Sequence, residues 1–359
     1  MRENFKRYSL SEAKEIVAGL GLDAYRGEQI FKWIWQKNVQ SFSAMTNISK
    51  DMRERLERDY HMNGLQIARV VNEGKNAQKY LFLLEDGNNI ESVFMREGRR
   101  KTICVSSQVG CPLGCRFCAT ALLGFKRNLL AYEIADQIRS IQETVGEKCT
   151  NVVFMGMGEP FLNTSEVFRA LDILSSPIGL AVSRRHTTVS TAGVIEGMDR
   201  LLKSSLRVKL AISLNFADEE QRKEFMPVAR HNPLHDLLRI AKAYSREKEM
   251  VTFEYVMIRN VNDRNHDARN LVRLLKGIPS KINLIPLNEH PGLRFNRPDE
   301  RAVEIFHEEL LKSKHTVVIR KSHGQKILAG CGQLAGTIYE QDIVHGKMYD
   351  VGKNDEEKK

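Results

Sequence analysis

A chain of 359 residues with 42% apolar content is long enough for two domains with sizeable cores, and its net charge of +10 and pI near 9.2 favour a polyanionic partner without naming one. No opening stretch reads as a signal peptide and no apolar run approaches membrane-spanning length, so the expectation is a soluble, cytoplasmic protein with no membrane contact. Six cysteines, clustered rather than spread, exclude a secreted disulfide scaffold and read as metal or redox chemistry in a reducing compartment.

Leu10, Ala13, Ile16, Val17 and Leu20, then Ile30, Phe31, Ile34 and Trp35, recur at helical spacing, and Ser9 with Glu12 forms a capping box. This predicts a small helical domain over residues 1–63, in which Trp33 and Trp35 read as core before they read as base-stacking platforms. Between 64 and 101, the runs Gln78–Leu84 and Ile90–Met95, punctuated by Asn76-Ala, Asp86-Gly and Glu97-Gly, predict antiparallel strands. From Thr102, strand-like runs at 103–106, 152–155, 187–190, 209–214, 252–258, 282–286 and 316–320 alternate with helical patterns near 131–145, 163–175, 194–204, 233–247, 263–276 and 299–313. Such alternation predicts an α/β core domain over 102–345, a parallel sheet with outer helices, although six or seven strands are too few for a complete eight-stranded barrel. Residues 346–359 form a charged tail expected to fray.

The chemistry concentrates in Cys111-Pro-Leu-Gly-Cys115-Arg-Phe-Cys118, three thiols within one loop after an apolar run. A structural zinc site is normally closed by four Cys or His ligands at short spacing, and no fourth ligand lies nearby: the first His after Cys118 is His186, and Cys149 lies beyond a predicted helix. A [4Fe–4S] cluster held by three thiolates keeps one iron open for a substrate, and that is the reading the spacing favours. Gly156-Met-Gly158-Glu159-Pro160 ends a strand with glycines that admit a ligand to the backbone and a carboxylate suited to an ammonium; read alone, it is equally an ordinary tight turn. Ser190, Ser213-Leu214-Asn215 and Asn288 end three further strands, where each alone reads as a cap. Cys331 lies in a glycine-flanked loop that argues against core, Cys104 in the strand before the cluster loop, and Cys149 reads as core. Basic groups recur at Arg96, Arg99, Arg100 and Lys101, at Lys126 and Arg127, at Arg184 and Arg185, and at Arg320 and Lys321; each is a solvated face or an RNA contact.

Cys-x-x-x-Cys-x-Phe-Cys resembles the signature of the radical S-adenosylmethionine (SAM) enzymes. With Val105-Ser-Ser-Gln-Val-Gly-Cys111, Phe117-Cys118-Ala-Thr, Phe154-Met-Gly-Met-Gly-Glu159-Pro and Cys331-Gly-Gln-Leu, most of the chain is similar to the RlmN/Cfr family of RNA adenine methyltransferases. The resemblance implies a partial (β/α)6 barrel, with a helical accessory domain that holds RNA and a β extension. It implies that Cys111, Cys115 and Cys118 ligate the [4Fe–4S] cluster, and that Gly158, Glu159, Ser190, Ser213, Leu214, Asn215 and Asn288 bind SAM. One departure is Asn215, where the family usually has His; Gly292–Pro298 and Ile327-Leu-Ala-Gly depart as well, which bears on substrate preference.

An adenine C2 carbon is too electron-poor to attack the SAM methyl, and the family's route is radical. Cys331 takes a methyl from one SAM, a radical made from a second SAM removes hydrogen from it, and the resulting methylene adds to adenine. Glu91 removes the ring proton, and Cys104 attacks Cys331 to form a disulfide that releases the RNA. Without the family match Glu91 would read as an exposed strand carboxylate. The implied substrates are 23S rRNA and tRNA, the implied electron source a flavodoxin- or ferredoxin-like reductant, and the implied state a monomer. A Cfr-type enzyme acting at adenine C8 would use the same cysteines; a radical enzyme of small-molecule metabolism would not need Glu91, Cys104 and Cys331 together; a non-catalytic iron–sulfur RNA-binding or redox module would not cleave SAM.

Overall fold

The structure, a computed structural model, describes residues 2–320 and 324–335. Lys321, residues 336–345 and the charged segment 346–359 lie outside the described residues.

Three helices, α1 (Leu10–Gly19), α2 (Tyr25–Trp35) and α3 (Lys50–Asp59), form the N-terminal unit, closed by the short parallel pair β1 (Glu3–Asn4) and β2 (Tyr60–His61). The Ser9 capping box is present: Glu12 N donates to Ser9 Oγ and Ser9 N to the Glu12 carboxylate. Trp35 is buried, and Trp33 is half-buried with its indole N–H on Asn47 Oδ1. Helices α1 and α2 meet at Gly27, where a Cβ would stand 2.7 Å from the Lys14 backbone. A buried ion cluster fixes this unit to the core: Lys6 Nζ lies 3.2 Å from Asp136 Oδ1, Leu65 N donates to Asp136 Oδ2, and Arg139 pairs with the same carboxylate. A buried charge tolerates desolvation only when paired in this way.

The chain then enters a single ten-stranded sheet. Strands β3 (Gln66–Glu73), β4 (Ala77–Leu83), β5 (Asn89–Glu97) and β6 (Arg100–Cys104) run antiparallel to one another. After the hairpin β7 (Gln108–Gly110) and β8 (Phe125–Asn128) and helix α4 (Ala131–Val145), strand β9 (Asn151–Phe154) pairs parallel with β6. Parallel strands β10 (Thr187–Thr191), β11 (Lys209–Ser213), β12 (Val251–Met257), β13 (Ser280–Pro286) and β14 (Thr316–Ile319) follow in order. Helices α5 (Thr164–Ser175), α6 (Ile195–Lys203), α7 (Glu219–Phe225), α8 (Leu234–Glu247), α9 (Asn265–Leu274) and α10 (Glu300–Leu311) fill the crossovers. The seven parallel strands, each linked to the next through helix, form the parallel sheet that the alternating pattern predicts and the partial barrel that the family resemblance implies.

Two features were not legible in the pattern. The antiparallel extension is hydrogen-bonded to the first parallel strand, so the sheet continues unbroken from extension to barrel. Helix α7, a charged seven-residue helix that the predicted pattern does not include, packs against the cluster loop.

Candidate active site

Strand β7 delivers Cys111 into the cluster loop. Gly110 has φ +76°, and a Cβ there would fall 1.9 Å from Gly124 O, so the entry turn admits only glycine. Cys111 N donates to Gly124 O at 2.8 Å and Cys118 N to Cys115 O at 3.2 Å. The loop is tied to α7 by Arg116 N on Phe225 O at 3.0 Å and by the Arg116–Glu224 ion pair at 2.7 Å. Cys111, Cys115 and Cys118 line one cavity at the C-terminal ends of the parallel strands, the face where barrel chemistry is found.

Burial pushes the Cys111 thiol up to about 12 and Cys115 well above its ordinary value, each reinforced by its neighbours' charge. Thiols this reluctant to ionise into bare cavity become ligands when a cation replaces the proton. Among the described residues no three His, Cys, Asp or Glu side chains converge on a single-ion site. The donor set suits a cluster, in which each thiolate takes its own iron. Arg222, buried at 0% exposure, stands behind Cys115: Nε donates to Leu214 O at 3.2 Å, Nη2 to Ala192 O at 2.6 Å, and Nη1 has no partner among the described residues. That guanidinium favours the ionised form of the Cys115 thiol. It was missed because Glu219–Phe225 carries no apolar stripe to mark a buried face.

The Gly156–Glu159 segment is pressed against the strand that leads into the loop. Gly156 N donates to Val105 O, Met157 N to Ser106 Oγ at 2.8 Å and Glu159 N to Gln108 Oε1 at 2.8 Å. A Cβ on Gly156 would meet Ser106 Oγ at 2.7 Å, and one on Gly158, at φ +96°, would meet Gln108 Cβ at 2.5 Å. Both glycines therefore serve close backbone packing. The Glu159 carboxylate is 3% exposed and accepts Ala192 N at 2.7 Å and Phe161 N at 3.1 Å. Burial lifts it to about 7, with those backbone donors opposing. It makes no ion pair among the described residues, and its remaining lone pairs suit an ammonium.

Ser190, Ser213 and Asn215 line the same cavity. Leu214 is fully buried outside the lining, with its N–H on Glu254 O and its carbonyl on Arg222. Asn288 turns toward the Cys331 loop: Nδ2 donates to Cys331 O at 3.2 Å and Oδ1 accepts Gln325 Nε2 at 2.8 Å. Asn215 holds φ +58°, a conformation Asn tolerates, and Oδ1 accepts Val256 N at 2.9 Å while Nδ2 faces Met226 Sδ. Its side chain is spent on the turn.

The opposite wall is assembled from the sheet extension and the loop 324–335. In the β5–β6 register Val93 faces Cys104, and in the β4–β5 register Lys79 faces Val93 while Leu81 faces Glu91. Alternation thus puts Lys79, Glu91 and Cys104 on one face of the sheet. Glu91 is 2% exposed, not a surface carboxylate: Oε1 lies 3.0 Å from Lys79 Nζ and Oε2 accepts Ala335 N at 2.9 Å. Cys104 and Cys331 line a second cavity with Met95, Val153, Met155 and Arg320. Cys331 alone among the cysteines lines both cavities, and its loop is tied to the cluster loop by Ala119 N on Gly332 O at 2.7 Å.

Burial raises the Cys331 thiol while the Arg320 guanidinium opposes it; burial and Cys331 together push Cys104 up to about 12. Arg320, read from sequence as part of a basic patch, instead pairs with Glu254 Oε1 at 3.2 Å beside both thiols. Other patch residues are also engaged: Arg96 and Lys101 with Glu147, Arg127 with Asp86 and Glu133, Arg184 with Asp172. Arg99, Arg100, Lys126 and Arg185 remain exposed. Cys149 is half-buried against the core.

Known proteins bear on this arrangement. Residues 105–274 match the family model of the radical SAM superfamily, and residues 4–61 match that of the ribosomal RNA large subunit methyltransferase N-terminal domain. The dual-specificity RNA methyltransferase RlmN of Geotalea uraniireducens is 44% identical over 336 residues, 93% of this chain and 97% of that protein. Its counterpart from Bdellovibrio bacteriovorus is 37% identical over 357 residues, 98% of this chain and 89% of that one. A crystal structure of a radical SAM methyltransferase from Sphaerobacter thermophilus superposes with a TM-score of 0.88 at 37% identity, covering 93% of this chain and all of that one.

Proposed function

Because the chain belongs to the RlmN family of dual-specificity RNA methyltransferases within the radical SAM superfamily, we propose a division of labour among its own residues for methylation of adenine in RNA. It is a radical SAM RNA methyltransferase that uses a [4Fe–4S] cluster and SAM, and adenine C2 is the position its family modifies. When bound, the cluster and SAM supply reductive SAM cleavage and hydrogen abstraction.

Cys111, Cys115 and Cys118 hold the cluster, with Arg222 behind them. Gly158 and Glu159 receive the SAM ammonium, and Ser190, Ser213 and Asn215 line the space for its remaining polar groups; Leu214 and Asn288 shape that space from behind. Cys331 carries the methyl group, and the Arg320 guanidinium favours its thiolate for the displacement. Glu91 accepts the proton from adenine C2. Once the adduct radical has passed one electron back to the reducing system, Cys104, as thiolate, attacks the Cys331 sulfur: an S–S bond forms, the S–C bond to the RNA breaks with its electron pair left on the methylene carbon, that carbon takes up a proton to become the methyl group, and the disulfide is reduced by cellular thiols. The RNA substrates are 23S rRNA and tRNA, met by the exposed Arg99, Arg100, Lys126 and Arg185. The electron comes from a flavodoxin- or ferredoxin-like protein, and the enzyme acts as a cytoplasmic monomer.

The single observation that carries this reading is the position of Cys331, which lines both the cavity of the cluster thiols and that of Cys104. The test is anaerobic turnover of reconstituted protein with SAM, a reductant and rRNA fragments or tRNA, followed by mass spectrometry of nucleosides. Wild type is expected to give 2-methyladenosine and Cys331→Ala none. Formation of 8-methyladenosine would replace C2 by C8, and SAM cleavage without a methylated nucleoside would overturn the methyltransferase reading.

A further inference from the structure

Lys79 has no part in the roles above, yet it occupies an unusual place. It is 9% exposed in β4, and its register partner Val93 separates it from both Glu91 and Cys104 on one sheet face. Its ammonium lies 3.0 Å from Glu91 Oε1 and points a second donor at Leu328 O, 3.5 Å away. Glu91 Oε2 takes the Ala335 N–H. Leu328 and Ala335 bracket the loop that bears Cys331. One buried ion pair therefore touches both ends of that loop.

An ammonium offers three donors and a carboxylate about four acceptor sites, so the Glu91 carboxylate can hold the Lys79 ammonium and the Ala335 N–H together. His290 is the further ionisable group beside the pair: burial and the Lys79 ammonium push its pKa down while Glu91 opposes, and Nδ1 accepts Gly292 N at 3.0 Å. If Lys79 were only a packing element, an apolar side chain of its length would serve; buried ion pairs are often replaceable in that way. Here the pair spans the candidate base and the loop of the methyl carrier, two groups that must meet the same adenine within a few tenths of an ångström.

We propose that Lys79 is a positioning residue for the resolution half of the reaction, setting the Glu91 carboxylate and the Cys331 loop in one frame. This rests on the assignment of Glu91 as the base. The proton leaves adenine C2 for a Glu91 oxygen; Lys79 exchanges no proton and only orients the acceptor.

The test uses full-length reconstituted enzyme as wild type, Lys79→Met, Lys79→Arg and Glu91→Gln. Four quantities are read: iron content, methylation of Cys331, covalent enzyme–RNA adduct on denaturing gels, and methylated adenine released. Lys79→Met is expected to keep iron and Cys331 methylation within about twofold of wild type, while release falls roughly tenfold or more and adduct accumulates. Lys79→Arg should restore most of the release, since it restores the charge. Loss of iron and Cys331 methylation in parallel with release in Lys79→Met would reduce Lys79 to fold support and overturn the proposal. Normal release in Lys79→Met with defective Glu91→Gln would overturn it alone. Normal release in Glu91→Gln would remove the base assignment and the proposal with it.

Discussion

The two walls of the active-site cavity are built in opposite ways. The cluster wall is local: three thiols fall within eight residues, and the Gly156–Glu159 segment that faces them is held to the entering strand by backbone and short side-chain hydrogen bonds. The thiol wall is non-local: Lys79, Glu91 and Cys104 come from three strands, and Cys331 arrives on a loop more than two hundred residues later. A local wall can be written as a motif and moved among chemistries. A non-local wall exists only when the sheet register is right, and in the proposed division of labour it carries the steps that distinguish RNA methylation from other uses of the same cofactor.

The comparison is broken most sharply by removing one thiol from each wall. Cys115→Ser should abolish cluster assembly, with iron content and visible absorption falling to background and methyl transfer lost with them. Cys104→Ala should leave iron and SAM cleavage intact while turnover still falls to background, because the enzyme–RNA adduct has no thiol to resolve it. Equal loss of iron in both variants would mean that the walls are not separable.

Glu159 gives a smaller effect, in stability. Burial lifts its carboxyl from the ordinary 4.5 to about 7 in the folded apo chain. Between those values the unfolded chain ionises Glu159 while the folded chain keeps its proton, so stability is fully retained below pH 4.5 and falls by about 3 kcal/mol as pH rises through 7. Glu159→Gln should abolish this slope, making apo protein more stable than wild type at pH 8 and little different at pH 4.5, while weakening SAM binding. Urea unfolding at both pH values measures it; equal stabilities at pH 8 would show that the carboxyl is not desolvated as the geometry implies.

Sequence carried the first wall and the frame of the second unevenly. The parallel strands and their flanking helices are legible because each crossover repeats a short apolar strand and an amphipathic helix, and the observed Ala131–Val145, Leu234–Glu247 and Glu300–Leu311 follow that periodicity closely. Ion pairing was not legible, because it depends on which carboxylates approach in space. Arg320, Arg127 and Arg96 read as surface cations until Glu254, Glu133 and Glu147 come to meet them. Arg222 was hidden in a charged stretch without a marked apolar face, and Lys79 because a cation inside an apolar strand gives no sign of the carboxylate it meets in space. Asn215 shows the converse: alone it reads as a strand-end cap, and its φ of +58° and its bond to Val256 N fit that reading while the residue also lines the cavity.

Glycines sharpen the contrast at the smallest scale, since both walls contain one in the left-handed region with different surroundings. At Gly158, φ is +96° and a Cβ would overlap Gln108 at 2.5 Å, with the Gln108 backbone nitrogen 2.8 Å away. Gly158→Ala should therefore destabilise by roughly 1–3 kcal/mol through forced movement of the strand entering the cluster loop, and SAM binding should weaken with it. At Gly332, beside Cys331, φ is +79° but the nearest atom to a Cβ is Phe117 O at 3.5 Å, an ordinary contact. Gly332→Ala is left with backbone strain alone, about 1 kcal/mol. Its expected signature is a small loss in denaturant midpoint with iron content unchanged. Because Ala119 N bonds to Gly332 O, a loss of iron in this variant would mean that strain passes from the methyl-carrier loop into the cluster loop, and that the two walls answer to each other through that bond.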